Sequence, residues 1–324
     1  MTQMQHPGRF AGVTTLDQLY EKLKDVKMGP GWNKPEPSLY PAPKKTFVPA
    51  HWSYKDARAA LSIAGDLVST ELAERRNLIL ANPIPGNTYA TTRTLVAAYQ
   101  MVRGHETARS HRHTPNALRL VVETGPETYT IVQGQKFLME PGDVLLRPNW
   151  LWHGHANGSD SDAYWIDFLD APLVQLLEPM FFEHFPDGVE KATNIAHDSP
   201  MRFAWKDTKA RLAEASRKGG VREVSLGNPS GGPALDSTAL YVQEVEGGAT
   251  TDRAQTTANS IFAVISGEGE SDIDGMPFRW SRGDVFAVPS WRPFTHTAIG
   301  GSAYLLRVTD EPVMKMLNWL RTAG

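Results

Sequence analysis

The chain has 324 residues, 41% of them hydrophobic and 21% charged, so it can bury a large core without a disulfide or a structural metal. Its 33 Lys and Arg stand against 36 Asp and Glu, with no basic block long enough to follow a phosphate backbone, which argues against nucleic acid as a partner. It contains no cysteine, so any metal is left to His, Asp and Glu, and a reducing cytoplasm fits. The first 30 residues carry charges throughout and no apolar run approaches the ~18 residues of a membrane span, so a soluble, unexported protein is expected.

In chain order, residues 14–27 place Leu16, Leu19, Tyr20, Leu23 and Val26 on one helical face behind Thr14 and Thr15 as caps. Residues 29–50 hold six prolines and read as an extended arm that reaches a neighbouring subunit. Helices are predicted over 52–64, ending at Gly65, and over 70–80, the second carrying Arg75 and Arg76. Short alternating runs from about 90 to 170 predict antiparallel β structure; 172–216 is helical or mixed, and 228–233 (NPSGGP) is a breaker cluster. A second β stretch runs from about 238 to 309, and Asp310 and Pro312 open a closing helix with Val313, Met316, Leu317 and Leu320 on one face.

The two β stretches are copies. NALRLVVETG at 116–125 and PGDVLLRPNW at 141–150 match NSIFAVISG at 259–267 and RGDVFAVPSW at 282–291 in order and phase, which predicts two related barrels. The expected division is 1–88 arm and helices, 89–172 first barrel, 173–237 helical linker, 238–309 second barrel and 310–324 closing helix. Arg282-Gly283-Asp284, which looks like an adhesion tripeptide, occupies the place of Pro141-Gly142-Asp143 and reads as a hairpin turn.

Four of the ten histidines fall in two tight clusters, His111-Arg112-His113 and His153-Gly154-His155. Residues i and i+2 of a strand share a face, so His111 and His113 can both enter a barrel, where His153 or His155 supplies a third imidazole. Three imidazoles suit Fe(II), Zn(II) and Cu(II) alike.

The run G-x6-H-x-H at 104–113, PGD at 141–143 and P-x4-H-x3-N at 148–157 resembles the two motifs of the cupin superfamily. That resemblance selects His153, with Asn157, as the third ligand, and the glutamate many cupins add has no match at Leu118 or Arg119. AERRNLILANP at 73–83, HRHTPNALRLVVE at 111–123, WHGHAN at 152–157 and WIDFLDAPL at 165–173, followed by FFE at 181–183, narrow the likeness to the bicupin ring-cleaving dioxygenases of gentisate, salicylate and 1-hydroxy-2-naphthoate. It implies a mainly β bicupin with Fe(II) at His111, His113 and His153, and a homotetramer. In the second copy Ala254, Thr256 and Phe294 stand at the ligand positions, so the second barrel is expected to be metal-free scaffold, with His296 structural at the place of His155.

A substrate presenting a carboxylate beside a phenolate can chelate such an ion. The expected reaction opens the ring of an ortho-hydroxybenzoate between the carbons bearing those groups, with both atoms of O2 entering the product. Arg119 lies eight positions beyond His111, an even offset that would put it on the same strand face, and its family counterpart orients the substrate carboxylate; a structural ion pair is the alternative. Arg75, with Arg76 beside it, and Gln100 match family pocket residues. His155 is expected to donate to substrate oxygen or act as acid/base, and Asp167 to orient a ligand histidine or ring substituent, unless it is a buried salt-bridge partner. Family members often carry a bulky aromatic at the position of Val96, near Ala98, so the pocket should admit a ring substituent such as that of a nitro- or halosalicylate. A bicupin that only binds metal is the competing reading.

Overall fold

The computed structural model describes residues 8–69 and 75–323. Two compact units divide at Lys44/Lys45. In the first, α1 (Leu16–Asp25) starts at a capping box in which Thr15 accepts from the Gln18 amide while the Gln18 side chain accepts from the Thr15 amide. The predicted apolar face of α1 is present, yet none of its residues is buried within the unit, and the proline-rich stretch after it has no regular structure to residue 44.

The second unit begins with β1 (Ala50–Trp52), α2 (Tyr54–Leu67) and β2 (Arg76–Ile79). The strands β3 (Val96–Val102), β4 (Thr107–His113), β5 (Ala117–Glu123), β6 (Thr128–Val132) and β7 (Gln135–Leu138) follow. Next come β8 (Val144–Arg147), β9 (His153–Asn157), β10 (Ala163–Leu169) and α3 (Ala171–Leu177). Three short strands, β11 (Phe182–His184), β12 (Asn194–Ile195) and β13 (Arg202–Phe203), lead to α4 (Trp205–Glu214). The remainder is β14 (Val221–Leu226), β15 (Ala239–Val245), β16 (Gln255–Thr256), β17 (Ser260–Ile273), β18 (Met276–Ser281), β19 (Val285–Val288), β20 (Phe294–Thr309), α5 (Glu311–Met316) and β21 (Thr322–Ala323).

Two six-stranded sheets, ordered β13-β8-β5-β10-β3-β2 and β11-β4-β9-β6-β7-β12, make the first jelly roll. A seven-stranded sheet, β1-β19-β17-β20-β15-β14 with β18 on β17, makes the second. Strand alternation sorts the apolar residues into three cores. Leu118, Leu120, Tyr164, Ile166 and Phe168 face outward from the first barrel and pack with Leu240, Ile261, Leu306 and Val308 of the second. Val121, Val132, Leu145 and Trp165 fill part of the first interior, and Phe262, Phe286 and Phe294 fill the second.

The repeat extends to backbone geometry. Gly142 and Gly283 turn at φ 92° and 86°, and Trp150 and Trp291 both stand at φ 61°. At each glycine a side chain has no room: a Cβ on Gly142 would lie 2.6 Å from the Trp205 ring, and one on Gly283 2.6 Å from Tyr54. Asp143 accepts from the Trp205 amide at the start of α4, and Asp284 from the Tyr54 amide at the start of α2. The two halves therefore exchange their leading elements: β1 and α2 dock on the second barrel, β13 and α4 on the first. Buried Asp284 and the bond from Arg282 to the Val122 carbonyl make the RGD tripeptide an internal turn, as expected.

Three expectations are corrected. The helix over 70–80 is instead strand over Arg76–Ile79, because pairing with β3 outweighs local propensity; residues 70–74 lie outside the described residues. The closing helix stops at Met316, with Asn318 at φ 56°, so Leu320 lies beyond it and Val313 is its one buried residue. The segment over 172–216, expected to be helical or mixed, holds α4 and most of α3 and adds β11, β12 and β13 to the sheets of the first barrel.

Candidate active site

The His-x-His pair ends β4 and His153 opens β9, its neighbour in the sheet, with His111 directly opposite His153. One ring nitrogen from each of His111, His113 and His153 lies within 4.8 Å of the others. The outward nitrogens face backbone carbonyls: Nδ1 of His113 is 2.8 Å from the Pro115 oxygen, that of His153 is 2.9 Å from Leu151, and that of His111 is 3.4 Å from Arg109. A carbonyl only accepts, so Nδ1 carries the proton and the Nε2 lone pairs converge. His153 Nε2 is fully buried with no hydrogen-bond partner.

Electrostatics keep these rings neutral. Burial first and the charge of Arg75 second push His111 down to about 2, and burial with Arg147 pushes His113 to about 4. Burial and then His111 hold His153 well below the ordinary histidine value. Three neutral, convergent imidazoles fit a divalent cation.

Behind them lies a buried charge cluster on the inward faces of β5, β8, β9 and β10. Arg119 grips Asp167 with both ends of its fork, Nε to Oδ1 at 3.1 Å and Nη2 to Oδ2 at 3.2 Å. Arg147 Nη2 reaches the same Oδ1 at 2.6 Å. Arg119 also donates to Thr130 Oγ1 at 2.7 Å and lies 4.2 Å over the Trp165 ring. Burial alone would raise Asp167, but Arg119, Arg147 and Arg75 outweigh it and hold the carboxyl at about 2. Burial draws Arg119 down to about 9, still a cation at neutral pH.

Arg119 lies 2.9 Å from His155 Nδ1 through Nη1 and 3.2 Å from Nε2 through Nη2. An arginine only donates and a neutral imidazole accepts at one nitrogen, so one of the two contacts is a hydrogen bond; Nδ1, the nearer and also 3.2 Å from Thr130 Oγ1, is assigned as the acceptor, with the proton on Nε2. Burial and the adjacent Arg119 hold this ring well below the usual histidine range.

Sequence expectations and geometry part at several points. His111 and Arg119 sit on different strands, β4 and β5, so their even spacing is not what brings both inside. Arg119 is committed to Asp167, which makes Asp167 the salt-bridge partner rather than a group orienting a ligand histidine. Arg76 is tied to Glu106 and the Val68 carbonyl, whereas the charge of Arg75, behind the larger effect of burial, helps hold His111, His113 and His155 below the ordinary histidine value. Val96, Ala98 and Gln100 share the inward face of β3, opposite Leu169, Asp167 and Trp165, and Gln100 Oε1 and Trp165 Nε1 are buried without hydrogen-bond partners. Asn157 is a turn brace: Thr128 and Ser159 donate to it, and it donates to the Val102 and Ser161 carbonyls. Sequence reading missed Arg147 and Trp165; a charged residue closing the apolar run VLLR in phase with inward Leu145 was the available sign.

The second interior differs. Phe294, at the place of His153, packs with Phe262 and Phe286 around His296, whose Nδ1 is 2.7 Å from Ser271 Oγ.

Two jelly-roll barrels with a three-imidazole pocket in the first define a bicupin with a metal site. A cupin-domain model matches residues 98–169. The chain is 34% identical to 5-aminosalicylate 1,2-dioxygenase of a Comamonas species, over 98% of this chain and 92% of the relative. It is 30% identical to gentisate 1,2-dioxygenase 1 of Aquipseudomonas alcaligenes over 94% and 95%. The fold superposes on salicylate 1,2-dioxygenase of Pseudoaminobacter salicylatoxidans in adducts with gentisate at a TM-score of 0.89 and 28% identity, covering 100% and 96% of the two chains. The chain belongs to the gentisate and salicylate 1,2-dioxygenase family, and is a ring-cleaving dioxygenase.

Proposed function

We propose that the chain binds Fe(II) through His111, His113 and His153 and cleaves an ortho-hydroxybenzoate between the carboxyl- and hydroxyl-bearing carbons, the substrate being gentisate or a 5-substituted salicylate. The observation that carries this reading is the juxtaposition of three convergent neutral imidazoles with a buried cationic cluster. Fe(II), when bound, supplies a redox-active divalent charge suited to a carboxylate–phenolate pair and to O2, which redox-silent Zn(II) does not. Arg75 and Arg119 provide the positive field for the carboxylate, and His155 donates from Nε2 to a substrate oxygen. Asp167 holds the Arg119 fork in place as a positioning residue. Apolar walls at Val96 and Ala98 exclude water and leave space beside the ring, and Gln100 Oε1 offers an acceptor to a ring substituent.

Oxygen uptake with added Fe(II) over gentisate, salicylate, 5-amino-, 5-nitro- and 5-chlorosalicylate and 1-hydroxy-2-naphthoate tests the reading. At least one 5-substituted salicylate or gentisate is expected to be consumed with one O2 per ring, and no uptake with any of them would sink it. Val96→Trp should lower kcat/KM for the larger rings about tenfold or more relative to salicylate, the size of a pocket-filling effect. An unchanged preference would remove Val96 from the specificity argument.

The protein acts in the cytoplasm as a homotetramer in this reading. Among the described residues no helix is long and apolar enough to cross a membrane. Support for assembly comes from apolar side chains left in solvent in each unit, Trp32 and Leu39 in the first and Leu177 and Phe181 in the second. Light scattering should return four chains for the full protein and fewer after deletion of residues 1–44; an unchanged mass would separate that segment from assembly.

A further inference from the structure

Arg119 and Arg147 are both buried to within 1% of full enclosure, and both form their ion pair with Asp167. Two cations on one carboxylate leave a net positive charge in a dry interior, where it is weakly screened. Arg147 is the member whose hydrogen bonding is incomplete. Its Nη2 serves Asp167 and the Leu118 carbonyl, at 3.2 Å, while its buried Nε has no hydrogen-bond partner.

We propose that Arg147 sets the charge of the pocket, acting as a specificity-determining residue that keeps one buried positive charge uncompensated for an aromatic carboxylate to complete. This rests on the function proposed above and adds to it the source of the anion requirement. Asp167 neutralises one guanidinium; without Arg147 it would neutralise Arg119 entirely, and the pocket would meet a carboxylate with no charge to spare from this cluster. The substrate class thus depends on a residue that need not touch it.

The charge count makes a test that a mere strut would fail. Salicylate and its neutral analogue salicylamide are titrated calorimetrically, without oxygen, into the protein with and without Fe(II). Arg147→Met should weaken salicylate binding roughly 10- to 100-fold and change salicylamide by no more than about threefold. The double variant Arg147→Met with Asp167→Asn restores one net positive charge on Arg119 and should bind salicylate at least about threefold more tightly than Arg147→Met, short of the wild type because the Arg119 fork has lost the acid that positions it. Arg147→Lys, which keeps the charge but loses the fork, should stay within about tenfold, and carries the comparison with the double variant if Arg147→Met does not fold. A double variant as weak as Arg147→Met or weaker, or an Arg147→Lys protein that loses salicylate and salicylamide equally, would overturn the inference while leaving ring cleavage by the wild type intact. A wild type that neither binds nor cleaves any aromatic carboxylate would overturn the proposed function, and this inference with it.

Discussion

Replacement of His113 by Ala is expected to strip the protein of its metal and to lower ring cleavage more than a hundredfold. The ring is one of three that converge within 4.8 Å, and its Nδ1 faces the Pro115 carbonyl at 2.8 Å, so its removal leaves two of the three nitrogens that would hold the ion. Loss of an outer partner of a metal ligand costs roughly 10- to 100-fold in affinity or activity, and loss of the ligand itself must exceed that. Metal content after Fe(II) reconstitution and oxygen uptake on a good substrate are the two measurements. The variant should fail both while keeping its fold, because His113 lies at a barrel mouth rather than in the apolar cores. A His113→Ala protein that retains iron and turns over normally would refute the site.

The second large effect is on stability. Asp167→Asn should destabilise the chain by about 3–5 kcal/mol at pH 7, since it leaves two guanidiniums buried against each other without their acid. That is a large share of the roughly 5–15 kcal/mol typical of a folded domain. The same carboxylate predicts a pH dependence. It stands at about 2 in the fold against 3.8 when free, so the fold binds it deprotonated and gains on the order of 2 kcal/mol that is present above about pH 4. That contribution shrinks as the pH falls below about 4 and is gone only below about 2, where the folded carboxyl is protonated as well. Denaturant midpoints at pH 7, 4 and 2.5 should therefore fall more steeply for the wild type than for the variant at the acid end. Equal midpoints at neutral pH would show that Asp167 does not compensate the two buried guanidiniums in the fold.

Much of the chemistry was legible in the sequence because it rests on short-range regularities. His111 and His113 share a face by the period of a strand, and the turn before each Pro148 and Pro289 repeats in phase, so the His pair and the duplication could be read without coordinates, while the choice of His153 over His155 came from the family resemblance. The loss of ligands from the second copy was legible for the same reason, and aromatic packing around His296 fills the space they would need. What could not be read was who pairs with whom across strands. Arg119 and Asp167 are 48 residues apart in the chain and directly opposite in the sheet, and Arg147 joins them from a third strand. Each residue alone carries no sign of the others.

The chain alone therefore determined that there are two related barrels, that any metal is left to His, Asp and Glu, and that the clustered histidines stand in one copy and are missing from the other. Those properties follow from composition and from periodicity, which act over a few residues. Tertiary structure decided that residues 76–79 form a strand, that Arg76 is bound to Glu106 and the Val68 carbonyl, and that the two halves exchange their leading strand and helix. It also decided the charge of the pocket, because buried ionic groups take their state from neighbours that only folding brings within about 3 Å.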